Sequence, residues 1–142
     1  MQTFYKAVPM EFLNSIKDTG LDPQKAGQRG GATASAMATG RQATGLDYNY
    51  TWVNKNKSRA IGYAQSSFVG RSPVLLKIIV PDQYEFEDQK TAGHGTRQLI
   101  PPVFIYFQTK KGSHWESIAN FTKDKAFIYD DELSDESSGD DW

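Results

Sequence analysis

The chain has no cysteine among its 142 residues, which excludes disulfides, thiolate metal sites and a cysteine nucleophile. Histidine is scarce as well. His94 and His114 stand far apart and no HExxH spacing accompanies them, which argues against a catalytic metal. No apolar run approaches the roughly eighteen residues of a membrane helix. The opening MQTFYKAVPMEF has neither a basic n-region nor a long apolar h-region, so it does not read as a secretory signal, and a soluble protein is expected. Also missing are GxSxG, GxxxxGK[ST] and GxGxxG, and with them the serine-hydrolase elbow, the P-loop and the Rossmann fingerprint.

What is present suits one domain built on one core, with 38% hydrophobic residues. The formal net charge of −1 conceals a division. Residues 1–129 carry ten acids against sixteen bases, a net +6, while residues 130–142 (DDELSDESSGDDW) carry seven acids and no base. The expected organisation is therefore a basic domain over 1–129 and an acidic tail over 130–142. Such a tail either stays solvated, or folds back over a basic cleft or docks on a partner with Trp142 as its anchor.

Hydrophobic patterning predicts an α+β fold. Residues 3–8 (TFYKAV) read as a strand. Pro9 then opens a helix that runs through MEFLNSIKDT with Phe12, Leu13 and Ile16 on one face and Gly20 as its C-cap. Residues 48–53 (YNYTWV) read as a strand, and 57–65 (KSRAIGYAQ) as a helix with Ala60, Ile61 and Ala64 inward. VLLKIIV at 74–80 is almost wholly apolar and predicts a central strand covered on both faces. After it come a polar segment reaching Lys90, a flexible TAGHGTRQ, a turn at LIPP, a strand VFIYFQ and a last strand KAFIY.

Chemistry-bearing residues are dispersed. The segment 26–45 (AGQRGGATASAMATGRQATG) holds five of the twelve glycines, two arginines and no acid. It is either a mobile loop or a backbone cradle for phosphate. Glu85, Glu87 and Asp88 cluster after the central strand, where a solvent-facing edge is expected. His94, between two glycines, is a candidate general acid or base. Tyr48, Tyr50, Trp52 and Tyr63 can stack on a ligand ring or pack a core.

Taken in order, Tyr5 and Lys6 on the first strand, FLNSIKDTG, GLDPQKAGQRGGA, YTWVN, SRAIGYAQ, VLLKIIVP and LIPPVFI resemble the ADP-ribosyltransferase fold over residues 3–106. The version they resemble is the small one of bacterial polymorphic toxins, including Rhs-type and contact-dependent inhibition proteins. The resemblance implies a split β-sheet core, an NAD cleft, cleavage of the nicotinamide–ribose bond, an effector delivered into a target-cell cytoplasm and a cognate immunity protein. No metal is expected, on the cysteine and histidine pattern.

By the same resemblance Lys6 occupies the position of a histidine or arginine on the first strand. Tyr5, Arg29, Gly30, Gly31, Ala32, Thr33, Tyr50, Trp52 and Tyr63 become candidate NAD contacts. The family's glutamate before the last strands is replaced here by Arg97 and Gln98, so Gln98 or His94 is expected to assist cleavage, alongside Lys6. Two other functions are open: an RNA-cleaving nuclease using His94 with Lys90 or Arg97 on a basic body, and a non-catalytic binding module.

Overall fold

The computed structural model describes residues 1–23, 50–68, 70–89, 93–110 and 114–129. The acidic tail lies outside them. Strand β1 (Gln2–Pro9) pairs antiparallel with β3 (Pro73–Val80) along its full length, from Gln2 opposite Val80 to Pro9 opposite Pro73. On its other edge β3 pairs with β6 (Ile105–Gln108), and β6 with β7 (Trp115–Ser117), giving a four-stranded sheet of order β1-β3-β6-β7. The apolar run is explained by that interior position. Val74, Leu76, Ile78 and Val80 face the main core, and Leu75 faces a second cluster on the opposite side.

A smaller antiparallel sheet has the order β2-β5-β4, formed by β2 (Thr51–Val53), β4 (Glu87–Gln89) and β5 (Gly93–Thr96). Among the described residues one backbone bridge joins it to the large sheet, where Tyr5 N–H donates to Asn54 O at 2.7 Å and Asn54 N–H to Tyr5 O at 2.8 Å. Helices and two antiparallel sheets together make the α+β class that patterning predicts. No helix among the described residues is long and apolar enough to cross a membrane.

Helix α1 (Leu13–Thr19) buries Leu13 and Ile16, with Phe12 packed against the same core. It starts later than the sequence suggests. Pro9 stays in β1 opposite Pro73, and a 3-10 turn (Met10–Phe12) intervenes. Gly20 ends α1 at φ 80°, and a Cβ there would lie 2.1 Å from Ile100 O. Glycine is required both by the dihedral and by the close approach. Leu21 and Ile100 then exchange backbone hydrogen bonds of 2.8 and 3.0 Å, tying the end of α1 to the segment before β6.

Helix α2 (Lys57–Ser67) lays Ala60 and Ala64 against Ala7 and Leu75 of the large sheet. Asn56 caps it, its side-chain oxygen accepting from Ser58 N at 2.8 Å and Arg59 N at 3.3 Å. Asn56→Ala should therefore cost about 1 kcal/mol, read as a fall of roughly 4 °C in the thermal midpoint by circular dichroism.

Two other expectations are corrected. The glycines of TAGHGTRQ suggest flexibility, yet Gly93–Thr96 form the central strand of the small sheet. KAFIY is not a strand. It makes a bridge from Ala126 to Thr109 and donates from Phe127 N to Gln108 O (3.0 Å) and from Tyr129 N to Pro73 O (2.8 Å). The segment thus crosses the sheet end, and Tyr129 OH donates to buried Gln108 Oε1 at 2.5 Å.

Candidate active site

Strand alternation sorts the small sheet into two faces. In register, Trp52 lies opposite Gly95 and Gly95 opposite Glu87, while Val53 lies opposite His94 and His94 opposite Asp88. Trp52, Gly95 and Glu87 therefore share one face, and Val53, His94 and Asp88 the other. Tyr50, two residues before Trp52, joins the first face. Its ring stacks on Trp52 with centroids 5.2 Å apart and planes inclined by 16°.

This stack depends on Gly95. A Cβ there would lie 2.6 Å from Tyr50 Cδ2 and 2.7 Å from Trp52 Cζ3, so the rings rest on the bare backbone of β5. The Arg97 guanidinium covers the Tyr50 ring at 4.8 Å from its centroid. The Tyr50 hydroxyl donates to Glu87 Oε2. That hydrogen bond is the main reason the phenol is held above its ordinary pKa, with Arg97 pulling the other way. At neutral pH Tyr50 is accordingly a donor, and it orients the carboxylate.

Beside this cluster opens a cleft of about 640 Å³, within the usual range of small-molecule sites. Glu85, Glu87, Arg97, Gln98 and Gln2 bring its charged and amide groups, and Tyr84 and Thr96 hydroxyls. Gln98 is held in place: Oε1 accepts from Glu85 N at 3.0 Å and its N–H donates to Thr96 Oγ1 at 3.1 Å. Both acids and both polar partners are exposed. A ligand entering here meets two carboxylates, one guanidinium and two amides.

The expected site residues divide accordingly. Tyr50 and Trp52 lie beside the cleft as support. Both are 6% exposed, and Tyr50 has Trp52 and Arg97 against its ring. Gln98 lines the cleft. Lys6 shares its face of β1 with Phe4, and its Nζ donates to Trp52 O at 2.9 Å, so it braces β2. His94 packs its ring 5.7 Å from that of Phe4, with Nδ1 buried and unpaired. It stands on the face of β5 away from the Tyr50–Trp52 stack, whereas Arg97 lies over that stack, so the nuclease pairing of His94 with Arg97 is not assembled. Lys90 lies outside the described residues.

Tyr5 and Tyr63 pack with the α2 cluster on the other side of the large sheet. Arg29, Gly30, Gly31, Ala32 and Thr33 lie outside the described residues. Glu85 and Glu87 are exposed and β4 is an edge strand, as the sequence predicts; the place of Glu87 in the cleft is what sequence reasoning missed. The signal was the alternation Glu85, Phe86, Glu87: Phe86 packs on Phe4 at 4.3 Å, which turns both acids to the other side.

Compared with known proteins, the chain matches no family model, no curated protein and no solved structure.

Proposed function

We propose that the chain is an NAD-consuming enzyme with an ADP-ribosyltransferase-like core, cleaving the nicotinamide–ribose bond and passing ADP-ribose to a target or to water. The observation that carries this reading is Glu87, a cleft carboxylate fixed by the Tyr50 hydroxyl beside the Arg97 guanidinium. Breaking an N-glycosidic bond builds positive charge on the ribose. A preorganised carboxylate is the group that stabilises it.

Arg97 supplies a planar donor fork suited to a pyrophosphate oxygen pair. Gln98, its amide carbonyl already engaged, positions a hydroxyl or carboxamide by its N–H groups. Glu87 replaces the glutamate that the sequence lacks before the last strands, reaching the cleft from an edge strand. The resemblance of residues 3–106 supplies the dinucleotide; the cleft supplies groups of the right chemistry.

The test is binding and turnover on the purified chain. NAD at about a hundred times its Kd should stabilise the fold by about 2.7 kcal/mol, raising the thermal midpoint by roughly 10 °C. Nicotinamide should accumulate, with or without cell lysate as a source of acceptor. If neither midpoint shift nor nicotinamide appears, the reading fails.

A further inference from the structure

A second surface lies on the face of the large sheet that carries α2. The register sets Tyr5, Lys77, Tyr106 and Ser117 in one row across β1, β3, β6 and β7, with all four side chains half-buried on the same face. Trp115, two residues from Ser117 and on that face, leans toward the row. Its ring lies 6.2 Å from that of Tyr5.

Two ammonium groups approach the Trp115 ring, Lys77 Nζ at 5.4 Å from the centroid and Lys57 Nζ at 5.6 Å. Neither lysine has a carboxylate within ion-pair distance among the described residues. No Asp or Glu occupies a strand position on this face, and α2 (KSRAIGYAQSS) contains none while adding Arg59. Uncompensated cations over partly open aromatic rings recognise a ligand that is itself both anionic and aromatic.

We propose that this face binds single-stranded nucleic acid, with bases stacked on Trp115, Tyr5 and Tyr106 and backbone phosphates on Lys57 and Lys77. A duplex keeps its bases stacked on one another and offers no ring face to these side chains. An acidic peptide would satisfy the lysines and leave three rings unused. The row spans three strand spacings, about 14 Å. It is therefore long enough for successive nucleotides. No residue of the Glu87 cleft takes part, and the proposal stands or falls separately from the NAD reading.

Fluorescence anisotropy of labelled uridine and thymidine oligomers of about twelve nucleotides, titrated with the full chain at low salt, tests it. Saturable binding is expected for both, or for the uridine oligomer alone if the 2′-hydroxyl is read. The double variant Lys57→Gln/Lys77→Gln should weaken binding at least about tenfold and flatten the log–log salt slope by about 1.4, the value for two single-strand phosphate contacts. Its nicotinamide release should match wild type. Tyr106→Ala and Trp115→Ala should each lose about tenfold with an unchanged circular dichroism spectrum; if Trp115→Ala misfolds, Tyr106→Ala decides. The proposal is overturned by absence of saturable binding to either oligomer, by wild-type affinity in the double lysine variant, or by polyglutamate competing as well as the oligomers.

Discussion

Gly95→Ala lowers the thermal midpoint by about 4–12 °C, corresponding to the roughly 1–3 kcal/mol that overpacking a filled site costs. The new methyl group would stand within 3 Å of ring carbons of both Tyr50 and Trp52, well inside carbon–carbon contact. Neither ring can retreat freely, because both are buried and stacked, and Arg97 covers Tyr50. Displacing Tyr50 also breaks its hydrogen bond to Glu87. The variant should thus lose nicotinamide release even at a temperature where it remains folded. Calorimetry gives the first effect and the release assay the second; an alanine variant with wild-type midpoint and activity would show that the stack does not rest on Gly95.

Glu87→Gln separates charge from structure. Glutamine preserves the volume and can still accept from the Tyr50 hydroxyl, so the thermal midpoint should stay within about 2 °C of wild type. Turnover should fall at least about a hundredfold, the scale on which loss of one preorganised electrostatic partner acts. Affinity for NAD should change much less, since the lost interaction grows only as the ribose becomes cationic. A fall in affinity with unchanged turnover would instead make Glu87 a binding residue.

The framework was readable where local pattern and tertiary position agree. VLLKIIV is apolar on both faces and lies inside the large sheet, and Ala60, Ile61 and Ala64, read as the inward face of a helix, pack α2 against that sheet. Pattern failed where a residue's conformation is set by a distant partner. Gly93 and Gly95 look like breakers in isolation, yet β5 needs glycine at position 95 because two rings from another strand lie on its backbone. Phe127 and Tyr129 have the composition of a strand, but their hydrogen bonds go to Gln108 and Pro73, on two different strands.

The site was legible in part for the same reason. Tyr50, Trp52 and Gln98 stand out by residue type, and the structure sets them in or beside one cleft. Glu87 does not stand out, because a three-residue edge strand has no period and its partner Tyr50 is 37 residues away in the chain. Lys6 and His94 have reactive side chains, but the fold directs one to the Trp52 carbonyl and the other to the Phe4 ring. Tyr5 and Tyr63 are directed by alternation and helix packing to the α2 side.

The most direct measurement is chromatographic quantification of nicotinamide from NAD incubated with wild type and Glu87→Gln in parallel. N-glycosidic cleavage at this carboxylate predicts nicotinamide accumulating with wild type, and at least about a hundredfold less with the variant. No release by wild type, or equal release by both proteins, contradicts it.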